Sequence, residues 1–133
     1  MASDSQVTGS FKYRTDGKIR RVTQGPFAGW LFAGCGRFDN LQKAFAQVEA
    51  GEFSPLSSGD EGGGCYLIAK GRKVLCLESE VMVPFPASDP FAIGSGQDFA
   101  MGAMYSGKTA VEAVRIAIKL DANSGGPVRS ITV

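Results

Sequence analysis

The stretch that most constrains this chain is Phe91–Gly96, in which three apolar residues lead into Gly-Ser-Gly and then into small residues at helical spacing. Glycine lets the backbone turn sharply and approach another segment closely, so Gly94 and Gly96 predict a tight junction between a short strand and a helix. Ser95 would then be exposed at a helix start, where unpaired N–H groups favour negative charge. A second small-residue corner, Asp121–Gly126, follows a later predicted helix. These two corners are the candidate functional part of the chain.

Composition limits the classes of function. The 133 residues have the length of one domain, and 44% hydrophobic with 20% charged residues is typical of a soluble globular protein. The net charge of +1 argues neither for nor against nucleic acid, no apolar run approaches the roughly 18 residues of a membrane helix, and the first residues do not resemble a secretion signal. Three cysteines without zinc-type spacing indicate reduced thiols in the cytoplasm. Because histidine is absent, Ser-His-Asp and Cys-His catalysis and most zinc chemistry are excluded.

Apolar periodicity and turn signals predict an α+β fold, with helices layered on a mostly antiparallel sheet. The segment Met1–Thr8 has the pattern of the end of an element, and Gly9–Gly17 is polar with a Thr-Asp-Gly turn signal. The loop Glu52–Gly64 and the proline-containing segment Val81–Pro90 are predicted to be irregular. Six segments have the composition of strands: Lys18–Val22, Phe27–Ala33, Cys65–Ala69, Lys73–Leu77, Phe91–Ile93 and Pro127–Val133.

Three helices are predicted from capping and stop signals. The first is expected to begin at Asp39 as N-cap, with Gln42 as its capping-box partner, and to stop at Gly51. The second follows the Gly-Ser-Gly corner to about residue 106. The third, Ala110–Leu120, is expected to have Thr109 as N-cap and a glutamate at the capping-box position.

One literal motif suggests a phosphate-binding function. Gly102–Thr109 matches the G-x-x-x-x-G-K-[ST] pattern of the phosphate-binding loop. That loop needs a strand directly before its first glycine, whereas the residues from Gln97 onward have the pattern of a helix. A simple helix–helix turn, with Gly107 ending one helix and Thr109 starting the next, is the favoured interpretation.

Five segments, taken together and in order, carry a family resemblance. They are similar to the Ala-x-Asp-x-x-x-Thr, Lys-Val/Ile-Arg-Arg, Ala-Gly-Gly-x-x-Asp, Ala-Ile-Gly-Ser-Gly and Asp-x-x-Ser-Gly-Gly motifs of the proteasome β-subunit family, and most similar to its bacterial HslV-type branch. The matching segments are Ala2–Thr8, Gly17–Arg21, Ala33–Gly36 followed by Asp39, Ala92–Gly96 and Asp121–Gly126. The resemblance covers nearly the whole chain as a single proteasome-like domain.

The resemblance implies an Ntn-hydrolase fold, an αββα sandwich of two mostly antiparallel sheets between helix layers, and a threonine peptidase mechanism. In that family the hydroxyl of an N-terminal threonine attacks the peptide carbonyl, and the threonine's own α-amine and a nearby lysine handle the proton. This chemistry requires no histidine, no metal and no cofactor, which agrees with the composition.

The same resemblance assigns roles to particular residues. Asp4 would be the carboxylate that pairs with Lys18, and Lys18 the amine that serves proton transfer. Gly34 would offer its backbone N–H to the oxyanion. Three further residues would form the hydrogen-bonded shell around the nucleophile and its amine: Ser95, Asp121 and Ser124.

Two departures from the family pattern affect the functional prediction. Only three residues precede Asp4, whereas the family's threonine lies a full strand and turn earlier. We therefore expect either a truncated form that lacks its first strand or an inactive, structural subunit, and we favour the first because an unpaired strand edge is costly. After Gly51 a short glycine-rich loop stands where the family usually has another helix.

The expected partners follow from the resemblance. The substrate would be unfolded protein or peptide, the assembly a homo-oligomeric dimer or ring, and a further partner an ATPase unfoldase. We expect a cytoplasmic protein that binds neither nucleic acid nor membrane; the pair Arg20 and Arg21 is interpreted as a solvated strand face.

Overall fold

The computed structural model describes residues 1–8, 12–52, 64–78, 81–85 and 89–132. They form two compact units, one of Met1–Ile19 with Asp89–Thr132 and the other of Arg20–Ser88. Helices and antiparallel strands are both present, so the α+β prediction is confirmed. Most of the predicted glycine-rich loop, residues 53–63, lies outside the described residues.

The described ranges contain nine strands and three helices. In chain order they are β1 (Ala2–Ser3), β2 (Gln6–Thr8), β3 (Lys12–Arg14), β4 (Ile19–Arg21), β5 (Leu31–Cys35), α1 (Phe38–Ala50), β6 (Cys65–Lys70), β7 (Lys73–Glu78), β8 (Val81–Phe85), α2 (Gln97–Tyr105), α3 (Ala110–Leu120) and β9 (Arg129–Ser130). No helix in these ranges is both long and apolar enough to span a membrane.

A five-stranded sheet with the order β4-β5-β6-β7-β8 dominates the second unit. Helix α1 packs on one face of it because Leu41, Ala44 and Val48 recur at helical spacing and are fully buried. Phe32 lies at the centre of this core and makes an edge-to-face contact with Phe45 at 5.2 Å between ring centroids.

Helix α1 ends as predicted but begins differently. Gly51 closes it in the left-handed conformation, with φ of 71°, which glycine adopts without steric cost. The N-cap is Arg37 rather than Asp39, and Asp39 lies inside the first turn. Its carboxylate is held by the Arg37 guanidinium at 3.1 and 3.0 Å, and the Gln42 side chain accepts a hydrogen bond from Arg20, so the predicted capping box does not form.

The strands of this sheet agree with the sequence except at the start of β5 and in β8. The hairpin β6–β7 is confirmed, with Gly71 and Arg72 as its two-residue turn and a φ of 58° at Gly71. The strand expected from Phe27 begins four residues later, at Leu31. The prediction of irregular structure from Val81 was wrong because β8 pairs with β7. Pro84 is tolerated there since β8 is the last strand of the described sheet.

Small residues hold the first unit together. Helices α2 and α3 approach through Ala100, Ala113 and Ala117, all buried. Thr109 caps α3 with the predicted capping box: its hydroxyl accepts from the Glu112 N–H, and the Glu112 carboxylate accepts from the Thr109 N–H. Gly102 lies inside α2, so a helix–turn–helix occupies the stretch that matches the phosphate-loop pattern.

Two short pairings complete this unit. Strand β1 pairs with β9, and β2 pairs with β3, both antiparallel. Strand β3 was not predicted because three residues are too few to show alternation. The predicted strand Phe91–Ile93 is also wrong, since these residues form no strand and lead directly into the turn at Gly94. Of the predicted C-terminal strand, the part up to residue 132 forms a strand at Arg129–Ser130, and Val133 lies outside the described residues.

Candidate functional site

An ion pair between Lys18 and Asp4 is the centre of the candidate site. The Lys18 ammonium donates to Asp4 Oδ1 at 2.7 Å, and both side chains are largely removed from solvent, 17% and 14% exposed. Lys18 is the last residue before β4, while Asp4 lies between β1 and β2. The structure thus brings together two residues that the sequence separates by 14 positions.

The second carboxylate oxygen of Asp4 is also occupied. Asp4 Oδ2 accepts the backbone N–H of Gly125 at 2.9 Å and that of Gln6 at 3.2 Å. These bonds hold the carboxylate in one orientation and leave Oδ1 for the lysine. Charge-assisted bonds of this kind are stronger than bonds between neutral groups.

A second carboxylate, Asp121, gathers two hydroxyl groups. The hydroxyls of Ser95 and Ser124 both donate to Asp121 Oδ2, each at 2.6 Å. The other oxygen, Oδ1, accepts the N–H of Asn123 at 3.1 Å in a local turn. Of the three residues that the resemblance grouped as a hydrogen-bonded shell, Asp121 is therefore in direct contact with both serines.

These hydrogen bonds affect the ionisation of Asp121. Its pKa is lowered, chiefly by the hydroxyl of Ser124 and then by that of Ser95, while desolvation opposes the shift. Each hydroxyl favours the charged carboxylate by donating to it. Asp121 is consequently an anion throughout the neutral range.

Glycine at position 96 allows the Ser95 turn to reach Asp121. A side chain carbon at Gly96 would stand 2.9 Å from Ser124 Oγ and 3.1 Å from the Cβ of Ala117. The preceding Gly94 has a φ of 104°, which glycine adopts readily. The sequence prediction of a tight glycine corner is thus correct, although no strand precedes it.

The loop that carries Asp121 and Ser124 is fastened to the segment that carries Asp4. The carbonyl of Gly125 accepts the N–H groups of Ser5 at 3.1 Å and Gln6 at 3.0 Å. Next to this contact, Gly126 has a φ of 77°, and a Cβ on it would stand 2.5 Å from the buried hydroxyl of Ser5. The two parts of the site are therefore one hydrogen-bonded arrangement through Gly125.

Two side chains that the sequence analysis did not single out support the same loop. The Gln6 amide and the Lys12 ammonium both donate to the carbonyl of Ala122, at 3.3 and 3.1 Å. Their role depends on the pairing of β2 with β3, which places Gln6 and Lys12 on neighbouring strands. No local signal in the sequence announces that pairing, so these residues could not be found beforehand.

The remaining predicted site residue, Gly34, belongs to the other unit. It lies in β5 opposite Tyr66, and a Cβ there would stand 2.2 Å from Leu41 and 2.7 Å from the Tyr66 ring. Packing alone therefore requires glycine at this position. The oxyanion role of Gly34 stays a prediction.

The site offers hydrogen bonds and charges rather than a metal cage. Among the described residues no group of three or more Cys, Asp or Glu side chains is placed to hold a metal ion. What the first unit does provide is an oriented ammonium, two fixed carboxylates and two hydroxyls whose donors point at one anion. Such an arrangement can position a nucleophile and handle its proton.

Comparison with known proteins gives a likeness of fold. No protein-family model matches the chain, and no curated protein matches it in sequence. Among solved structures, the chain is similar to Thiobacillus denitrificans BPH in complex with epoxomicin, with a TM-score of 0.64 and 22% identity, covering 96% of this chain and 88% of that chain. At this level of identity the likeness concerns the fold. It supports the α+β fold over nearly the whole chain.

Proposed function

We propose that this chain is a proteasome-like peptidase subunit of the HslV type, which hydrolyses unfolded protein or peptides through an N-terminal threonine. The observation that carries the proposal is the connection of the Lys18–Asp4 ion pair to the Asp121 cluster through Gly125. An ammonium, two carboxylates and two hydroxyls are brought together there. These groups can position and activate an N-terminal nucleophile without histidine or metal.

In this proposal the nucleophile comes from a segment that precedes Met1. Its hydroxyl attacks the substrate carbonyl while its α-amine accepts the hydroxyl proton. The Lys18 ammonium, fixed by Asp4, lies beside the nucleophile and stabilises the charge that develops on its oxygen. The peptide C–N bond then breaks as the protonated α-amine gives its proton to the leaving amine, which departs as the first product and leaves an acyl-enzyme. Water attacks the acyl-enzyme, the ester bond breaks, and the second product leaves as the threonine hydroxyl is regenerated.

The Asp121 cluster acts on the amine in the same proposal. The anionic carboxylate, with the Ser95 and Ser124 hydroxyls at 2.6 Å, provides acceptors for the N–H groups of the threonine amine. Because Asp121 is ionised at neutral pH, it favours the protonated amine that forms after the attack. The αββα arrangement, the cytoplasmic dimer or ring and the ATPase unfoldase partner belong to this proposal as well.

The proposal is tested with two lysine variants of the protein expressed from its native genomic context. Lys18→Ala should lower the hydrolysis of an unfolded protein and of fluorogenic peptides by about 100-fold or more, the order found for loss of a group that stabilises developing charge. Lys119→Ala removes an exposed lysine at the end of α3 and should leave hydrolysis unchanged.

Epoxomicin provides an independent probe, because the structurally similar BPH was solved in complex with it. We expect epoxomicin to inhibit the native protein and the Lys119→Ala variant. Equal hydrolysis by the two lysine variants would contradict the proposal. A native protein that assembles but hydrolyses nothing would instead support a non-catalytic structural subunit.

A further inference from the structure

All three cysteines of the chain lie on adjacent strands of the five-stranded sheet. Cys35 ends β5 and is the register partner of Cys65, the first residue of β6. Cys76 lies in β7, where it is opposite Leu67, two residues along from Cys65. Side chains of register partners and of residues two apart share one face of a sheet, so the three thiols form one row across three strands.

Two of these thiols are already in contact. The sulfur atoms of Cys65 and Cys76 are 3.7 Å apart, close to van der Waals contact, and neither residue is in a disulfide. A disulfide requires an S–S distance of about 2.05 Å, so the two sulfur atoms have to move closer together for the bond to form. Cys65 is half-buried and thus open to a small oxidant, while Cys76 is buried beside it.

We propose that Cys65 and Cys76 are a redox site that forms an intramolecular disulfide when the protein meets hydrogen peroxide. The Cys65 thiolate attacks one peroxide oxygen, the O–O bond breaks, and Cys65 becomes a sulfenic acid while hydroxide leaves. The Cys76 thiol then attacks the Cys65 sulfur, and water leaves as the S–S bond forms. Two thiols are oxidised and one peroxide is reduced to two waters.

The position of the pair favours this outcome over further oxidation. A sulfenic acid that has a thiol in contact condenses with it, whereas an isolated one proceeds to the irreversible sulfinic acid. The bond would join β6 to β7 near the open end of their hairpin, across strands that are already paired from Tyr66–Leu77 to Lys70–Lys73. The sheet therefore holds the two cysteines in place before and after oxidation.

The test is a thiol count and peptide map of the full chain after exposure to hydrogen peroxide. The reduced protein should show three alkylatable thiols under denaturing conditions, in accord with its three cysteines. After a small excess of peroxide we expect one reactive thiol, a loss of two hydrogen masses and a linked pair of peptides containing Cys65 and Cys76. Dithiothreitol should restore all three thiols.

Matched variants identify the partners. Cys35→Ser should still lose two thiols, whereas Cys65→Ser should lose none to an intramolecular bond. Cys65 is half-buried whereas Cys76 is buried, so a substitution at Cys65 is safer for folding than one at Cys76. The peptide map of the unaltered protein needs no variant at all. A map that joins Cys35 to Cys65, a bond between two copies of the chain, or three thiols that survive peroxide would each overturn the proposal.

Discussion

Lys18 and Gly125 hold the same carboxylate from two sides: the lysine ammonium contacts Asp4 Oδ1 at 2.7 Å, and the glycine N–H donates to Asp4 Oδ2 at 2.9 Å. One side chain thereby joins the start of β4 to the loop that follows α3. The candidate site depends on this carboxylate, and several expectations follow from its surroundings.

Loss of the lysine should destabilise the fold. Lys18→Ala leaves the Asp4 carboxylate largely buried without its ammonium, and we expect a loss of about 1–2 kcal/mol of unfolding free energy, between the values for exposed and buried ion pairs. Urea denaturation measures this loss. As a control, Arg37→Ala breaks the exposed pair between Arg37 and Asp39, whose side chains are 60% and 50% exposed, and should change stability little. A similar loss of stability in the two variants would show that the Lys18–Asp4 pair contributes no more to the unfolding free energy than an exposed ion pair.

The ionisation of Asp121 should respond to its serine neighbours. Ser124→Ala removes the largest cause of the lowered Asp121 pKa, so that pKa should rise toward its ordinary value. Carbon-detected NMR titration of the Asp121 carboxyl measures the change directly. Ser106→Ala removes a hydroxyl that bonds to the Gly102 carbonyl instead and should leave the titration of Asp121 unchanged.

The lowered pKa of Asp121 predicts how the stability of the fold depends on pH. A carboxylate whose pKa is lower in the folded state adds stability above its unfolded pKa of about 4 and loses it as pH falls through the folded pKa. Asp121→Asn should therefore flatten the acid limb of the stability curve more than Asp89→Asn, which alters an exposed carboxylate outside the site. Identical acid limbs for the two variants would contradict a lowered pKa of Asp121 in the folded protein.

Two glycines of the first unit should respond oppositely to alanine. At Gly96 the new Cβ would stand 2.9 Å from Ser124 Oγ, so Gly96→Ala should displace Ser124 and lower both stability and the proposed activity. At Gly102, inside α2, nothing lies within 4 Å, and Gly102→Ala should stabilise the helix by about 0.5–1 kcal/mol. Thermal denaturation of both variants distinguishes them. Stabilisation by both substitutions would mean that a Cβ atom fits at position 96 without displacing Ser124.

Nucleotide should not bind at the phosphate-loop pattern. Gly102 is helical and the Thr109 hydroxyl is used as a helix cap, so the backbone does not form the strand–loop–helix that cradles phosphates. We expect ATP with magnesium to leave the melting temperature unchanged. A rise that Lys108→Ala abolishes would show that the loop binds nucleotide after all.

Local signals in the sequence predicted the elements whose cause is local. The capping box of Thr109 and Glu112 fixed the start of α3, and the two-residue turn at Gly71 fixed the β6–β7 hairpin, because each depends on residues a few positions apart. Gly51 likewise ended α1 where expected.

The failures came from contacts and strand positions that local capping and strand patterns do not show. Asp39 is of a residue type typical of N-caps, but its carboxylate pairs with Arg37. The Gln42 side chain accepts a hydrogen bond from Arg20, 22 residues away. Strand β8 contains a proline that argues against a strand, and only its edge position makes it acceptable.

In the candidate site, too, the sequence predicted some contacts and missed others. The resemblance grouped Asp4 with Lys18 and Ser95 with Asp121 and Ser124, and the structure brings each group into contact. The link between the groups, through the backbone of Gly125, has no side chain and therefore no sequence signal.

The measurement that tests the central claim most directly is the mature N-terminus of the protein purified from its native genomic context. Intact mass and N-terminal sequencing together identify the first residue. We predict a chain that begins with threonine upstream of Met1, so that a nucleophile is available to the Lys18 and Asp121 groups. A mature chain that begins at Met1 or Ala2 would contradict the peptidase function. The protein would then be a non-catalytic structural subunit.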